Sequence, residues 1–262
     1  MENNELSKVS LFALILVLIS PVIKAETSKK PTQKEVDQLL LELDSLWRSG
    51  SSRATMVMDI KTQNYNRQVS FKTWTKGDEK TLILIKKPEK ERGIATLKIG
   101  DEMMNYLPNI GKTIKFTEAL RNERWMGSHF TNNDLLQASK LRDTYKGFLY
   151  RVEKMGADDI WYISGKLRKG KISMYKMVNL IVNKQKKYLL SQQFYDQHKK
   201  LVREMRYSRV KIIGKRHIPM VIELLPKTSD LKGESSRLEY TNLVKNIKLR
   251  NEIFSIAHLE NL

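Results

Sequence analysis

From Arg53 almost to the C-terminus, the apolar residues of this chain recur with a period of two. Ala54, Met56, Met58 and Ile60 alternate with Arg53, Thr55, Asp59 and Lys61, Val57 being the exception, and Val69 and Phe71 alternate with Ser70 and Lys72. Successive side chains of a strand point to opposite faces, so the pattern predicts half-buried β-strands. Strand signals continue over Thr81 to Ile85, Ile94 to Ile99, Glu102 to Leu107 and Thr113 to Phe116. Turn-formers separate them at Gly77-Asp78, Lys87-Pro88, Gly100-Asp101 and Pro108-Asn109 with Gly111. Short strands at this spacing predict an antiparallel meander.

Two segments break the period. Before it, Thr32-Gln33-Lys34-Glu35 matches the S/T-x-x-E capping box, and Val36, Leu39, Leu40, Leu43, Leu46 and Trp47 recur at spacings of three and four. That is one apolar stripe of a helix, stopped by Ser49-Gly50-Ser51-Ser52. The second break, Thr117 to Asp143, predicts an irregular loop and a short helix over residues 133–141, capped by Thr131 or Asn132. Strand signals resume at Gly147 to Lys154, Ile160 to Lys166, Met174 to Val182, Lys187 to Tyr195, Leu201 to Ile213 and His217 to Leu225. A last strand is expected over Arg237 to Leu249, with a terminal turn or short helix over Asn251 to Leu262. No linker divides the region, and a sheet of about ten or more strands tends to curl. The expected fold is therefore mainly β (α+β): one large curved antiparallel sheet forming an open half-barrel, with the two helices available as a lid over its apolar concave face. Such a cleft is a ligand site by default.

The first residues stand apart. Val9 to Ile23 is an apolar and small-residue run between Lys8 and Lys24-Ala25-Glu26, which reads as a secretory signal peptide over residues 1–25 followed by a single domain over 26–262. An uncleaved anchor is the alternative, although the run is shorter than a bilayer span and Pro21 interrupts it. Residues 1–25 carry two acidic and two basic side chains, so the net charge of +19 belongs to the rest of the chain. That charge favours anionic partners such as a membrane surface, or it solvates the strands' outer faces. Export and the lack of a nucleic-acid-binding motif argue against nucleic acid. The chain has no cysteine, which excludes disulfides, thiol catalysis and the acylated cysteine of a lipoprotein. Its four histidines show no paired ligand spacing, so no metal is expected.

Several runs carry a family likeness. Arg92-Gly93 after Lys87-Pro88, the strand Met103-Met104-Asn105-Tyr106-Leu107-Pro108, and Trp125-Met126-Gly127-Ser128-His129-Phe130-Thr131-Asn132-Asn133-Asp134-Leu135 resemble the outer-membrane lipoprotein-sorting protein family of LolA-like carriers. Tyr240-Thr241-Asn242-Leu243 and Ile253-Phe254-Ser255 with Leu259-Glu260 look like that family's final strand and tail. His129 and Asn133 stand where the family motif usually has acidic residues, and the Met103–Tyr106 strand lacks a tryptophan that many relatives have.

The resemblance implies a half-barrel with a helical lid over an apolar cavity, and a periplasmic carrier that binds a lipid or lipoprotein acyl chain and shuttles it toward the outer membrane. An inner-membrane transporter would be the donor and an outer-membrane component the acceptor. The alternative is a sensor or scaffold of the same fold, or an accessory protein of an inner-membrane lipid transporter. Candidate lipid-binding residues are Met56, Met58, Met104, Tyr106, Trp125, Met126 and Phe130. Thioethers adapt in shape to a flexible chain, and aromatic rings bring apolar area. Trp125, Met126 and Phe130 either gate the cavity or plug the end of the sheet. Arg92, Gly127 and Ser128 are candidates for a lid or head-group contact, Arg92 through its fork of donors and Gly127 through its conformational freedom. Ser128, His129 and Asp134 invite a catalytic triad, but their order is unlike the G-x-S-x-G elbow. Neither catalysis nor a cofactor is expected.

Overall fold

The computed structural model describes residues 31–48, 50–137 and 141–261, and from Pro31 onward they form one compact unit. The expected signal peptide lies outside the described residues. Among those described, thirteen strands make one antiparallel sheet: β1 (Ser51–Lys61), β2 (Asn66–Lys76), β3 (Lys80–Lys87), β4 (Ala95–Ile99), β5 (Glu102–Leu107), β6 (Lys112–Lys115), β7 (Tyr145–Met155), β8 (Asp158–Leu167), β9 (Met177–Asn183), β10 (Tyr188–Tyr195), β11 (Leu201–Ile213), β12 (Arg216–Pro226) and β13 (Ser235–Lys245). Their order is β6-β5-β4-β3-β2-β1-β13-β12-β11-β10-β9-β8-β7. The edges β6 and β7 do not pair, so the sheet stays open.

Two meanders therefore meet at the β1–β13 pair, where Ala54 lies opposite Leu243 and Met58 opposite Leu238. β6 and β7 are consecutive in the chain yet lie at opposite edges, so the segment between them must cross the sheet. It does so over the concave face, as short turns followed by α2 (Asn132–Gln137) and α3 (Leu141–Thr144). The expected single helix over 133–141 is thus two shorter pieces, with residues 138–140 outside the described ones. Thr131 is the cap: its Oγ1 accepts from the Asp134 N–H at 3.2 Å, and its own N–H donates to Asp134 Oδ2 at 2.8 Å.

The N-terminal helix, α1 (Gln33–Arg48), follows its signals closely. The Thr32 N–H donates to Glu35 Oε2 at 2.7 Å, and the Glu35 N–H to Thr32 Oγ1 at 3.3 Å, which closes the capping box. Val36, Leu39, Leu40, Leu43 and Leu46 are buried against the concave face; the side chain of Trp47 is not among those described. The helix approaches β7 so closely that a Cβ on Gly147 would lie 2.8 Å from Leu40 Cδ1 and 3.1 Å from Ile163 Cγ2.

Strand burial obeys the period of two on β1, where Ala54, Met56, Met58 and Ile60 are buried and Val57 on the other face is half-buried. It fails on β3, where Leu82 to Ile85 are all buried. The cause is a second cover. Ile83 and Ile85 face the concave core, while Leu82 and Leu84 face a separate cluster with Ala95, Leu97, Met104, Phe254 and Leu259. The tail, with its α4 (Ile256–Glu260), therefore packs on the convex face. β13 ends at Lys245, before the expected Leu249, because Asn246 turns left-handed (φ 58°) and donates its N–H to Ser51 O. If α1 is seated as described, Gly147→Val should destabilise the fold by about 1–3 kcal/mol through overpacking against Leu40 and Ile163. Urea unfolding checks this, and an unchanged midpoint would place α1 elsewhere.

Candidate functional site

Because the crossover roofs a curved sheet, the space beneath it is not filled. A cavity of about 280 Å³ lies between the concave face and the roof. Its floor is Ala54, Met56 and Met58 of β1 with Phe71 of β2 and Leu238 of β13, and its roof includes Trp125, Phe130 and Leu135. Inward positions of β11, namely Arg203, Met205 and Tyr207, close one side.

Of the residues expected from sequence, Met56, Met58, Trp125 and Phe130 come together here. Trp125 meets Phe71 edge-to-face, with ring centroids 5.3 Å apart, and its Nε1–H donates to Thr96 Oγ1 at 3.4 Å. A tight turn sets both aromatic rings. Met126 and Gly127 are left-handed (φ 53° and 70°), the Trp125 N–H donates to Phe130 O at 2.8 Å, and the Ser128 hydroxyl donates to Trp125 O at 2.7 Å. Met126 packs on the core from beside the turn, and Gly127 O accepts from the Tyr65 hydroxyl at 2.8 Å. Gly127 and Ser128 thus shape the turn rather than line the cavity.

Three residues stand apart from the site. Met104 is in the convex cluster beneath the tail, and Tyr106 packs against that cluster. The parity of β5 explains the correction. Met104 pairs with Leu97 and Tyr106 with Ala95, both outward, whereas Met103 and Asn105 pair with the inward Lys98 and Thr96. Arg92 sits in the exposed turn after β3, ion-paired with Glu89 at 3.1 Å, and is not among the residues that line the cavity.

His129 is buried and pairs with an acid just before β13, Glu234. Its Nε2 lies 2.7 Å from Glu234 Oε2 and its Nδ1 2.8 Å from the Ser236 hydroxyl, while its N–H donates to Ser236 Oγ at 3.0 Å. The hydrogen bond from His129, with the Gln63 N–H second, holds the Glu234 carboxyl below the usual range. Ser236 is fully buried and Ser128 bonds to the Trp125 carbonyl, so these groups brace the turn against β13. Among the described residues, no three His, Asp or Glu side chains converge as a metal site.

The polar end of the cavity was less legible. Arg203 is buried and makes a bidentate pair with Asp134 of α2 at 2.8 and 2.5 Å. Its guanidinium lies 4.6 Å from the Tyr175 ring and 4.3 Å from the Phe194 ring. Burial pushes the Tyr175 hydroxyl up to about 12, and raises that of Tyr207 as well. The available signal was parity: in Arg203-Glu204-Met205-Arg206-Tyr207 an arginine shares the apolar face. Asp44 of α1 adds a second tie, accepting the Leu141 and Arg142 N–H groups at 2.9 and 3.0 Å at the start of α3. Asp134→Asn should cost about 3–5 kcal/mol in urea unfolding, because Arg203 keeps its charge in a buried site without a counter-ion, whereas Asp134→Leu with Arg203→Met should stay near the wild type. A single variant within about 0.5 kcal/mol of wild type would mean that the pair does not hold the roof.

No curated protein sequence matches the chain. A family model described as "Uncharacterized protein" matches residues 77–261. Among solved structures, a DUF1329 family protein from Desulfovibrio piger superposes with a TM-score of 0.78 at 22% identity, covering 86% of this chain and 98% of its own. A domain described as an outer membrane lipoprotein-sorting protein, from Vibrio parahaemolyticus, gives 0.74 at 19% identity, covering 87% and 97%. A LolA superfamily protein from Nitrosomonas europaea gives 0.69 at 22% identity, covering 84% and 97%. The chain thus belongs to the family whose model spans residues 77–261, and its fold is the open, curved sheet of the LolA-like proteins.

Proposed function

We propose that this protein is a periplasmic, non-catalytic carrier that takes the acyl chain of a lipid or lipoprotein into its roofed cavity and delivers it toward the outer membrane. The observation that carries the reading is an apolar cavity of about 280 Å³ whose floor is methionine-rich and whose roof is made of aromatic and lid residues. That volume lies just below the usual range for small-molecule pockets, about 300–1,000 Å³, and suits one chain better than several. Each buried CH₂ contributes roughly 0.8 kcal/mol, so a chain of about 14–16 carbons gains on the order of 10 kcal/mol before its ordering entropy is subtracted. Methionine thioethers tolerate a flexible occupant, and the polar end at Arg203 gives the chain an orientation. The lipoprotein-sorting description of the Vibrio parahaemolyticus domain supports the same reading by analogy of fold.

Filling the cavity tests it. Ala54 is buried on the floor in the middle of β1, and Ala54→Trp places an indole where the chain would lie. The affinity for a fluorescent fatty acid should fall at least about tenfold, the equivalent of about 1.4 kcal/mol, while cooperative unfolding is retained. Unchanged binding by a folded Ala54→Trp protein would remove the cavity from the function.

A further inference from the structure

Ile172 is 94% exposed, more than any other large apolar side chain among the described residues. It belongs to the loop between β8 and β9, Arg168-Lys169-Gly170-Lys171-Ile172-Ser173-Met174-Tyr175-Lys176, which contains four cations and no acid. Met174 is also exposed, at 43%. The loop is held in place from within. The Arg168 N–H donates to Thr144 O at 2.9 Å and its Nε–H to Arg142 O at 2.9 Å. The Tyr145 hydroxyl lies 2.8 Å from Ser173 Oγ and 3.2 Å from Tyr175 O, and the Tyr175 N–H donates to Ser173 Oγ at 3.1 Å. A loop tied this firmly presents two apolar side chains to water instead of folding them inward. The same loop forms the cavity mouth: Ile172 at its open rim, with Ser173 and Tyr175 deeper, lines the cavity, and the Tyr175 ring covers the Arg203–Asp134 pair.

We propose that the loop between β8 and β9 is the membrane-docking site through which the cavity is loaded from an anionic leaflet, with Ile172 and Met174 entering the acyl boundary and Arg168, Lys169, Lys171 and Lys176 meeting lipid phosphates. The inference rests on the carrier reading and adds where the exchange takes place. Two observations select the occupant. The net charge of +19 is complementary to an anionic surface, and the loop's own cations surround its apolar pair. A stable protein interface buries roughly 800 Å² on each side, far more than a short loop with two apolar side chains supplies, whereas an interface of lipid accepts single residues.

Sedimentation of the purified protein with phosphatidylglycerol–phosphatidylcholine vesicles, and with phosphatidylcholine alone, tests the proposal. Binding should rise with the anionic fraction and weaken between 0.01 and 0.15 M salt. Ile172→Glu should lower it at least about tenfold, and Lys169→Glu and Lys171→Glu each about fivefold. The comparison is Ile212→Glu, at a hairpin tip where Ile212 is 69% exposed between Lys211 and Gly214-Lys215, which should bind as the wild type does. Equal losses for Ile172→Glu and Ile212→Glu, or no loss for either, would overturn the docking site, as would binding of an acidic protein but not of vesicles. Lys169→Glu should keep the wild-type affinity for a fluorescent fatty acid in solution. If the wild type binds vesicles through Ile172 but no fatty acid, the carrier reading fails while the docking site stands.

Discussion

The position of the two sheet edges governs this molecule. β6 and β7 follow one another in the chain but terminate opposite ends of a thirteen-stranded sheet, so the segment joining them has to traverse it. A long sheet curls through its strand twist, and a crossover on the concave side spans the hollow instead of filling it. Cavity and roof are therefore one consequence of topology. The convex side had a different solution, in which the C-terminal tail brings Phe254 and Leu259 onto Leu82, Leu84 and Leu97. With both faces of β3 covered, the apolar run Leu82 to Ile85 needs no alternation.

What keeps the roof in register is polar. Asp134–Arg203 ties α2 to β11, His129 ties the aromatic turn to Ser236 and Glu234, and Asp44 ties α3 to α1. A buried ion pair adds little net stability relative to an apolar pair of the same shape, because desolvation offsets the Coulomb gain. Its value here is positional, since either charge left alone in the cavity is costly. Apolar contacts between Trp125, Phe130 and the floor are interchangeable in orientation, but the bidentate fork and the His129 bonds are not.

Most of the fold was legible because it depends on short-range rules. The capping box at Thr32 and Glu35, the stripe from Val36 to Leu46, the alternation of β1 and the turn residues each act within a few positions. The site was legible only where the parity of one strand settled the matter, as for Met56 and Met58. Met103 and Met104 are adjacent and equally apolar, and what sends Met104 to the convex face is its register against Leu97, a partner that local pattern does not name. Arg203 was overlooked for the complementary reason. A single arginine on an apolar face looks like an outlier until Asp134, 69 positions away, supplies its charge partner. Arg92 shows the reverse case, in which motif likeness pointed to a residue whose ion pair with Glu89 is local and exposed.

Under the proposed function, the roofed cavity holds a single apolar chain. Native mass spectrometry of the protein purified without detergent addresses it directly. The expected result is a second mass series one lipid or fatty-acid mass above the polypeptide, dissociating at higher collision energy. A single series at the bare polypeptide mass, unchanged after incubation with fatty acid or phospholipid, would contradict it.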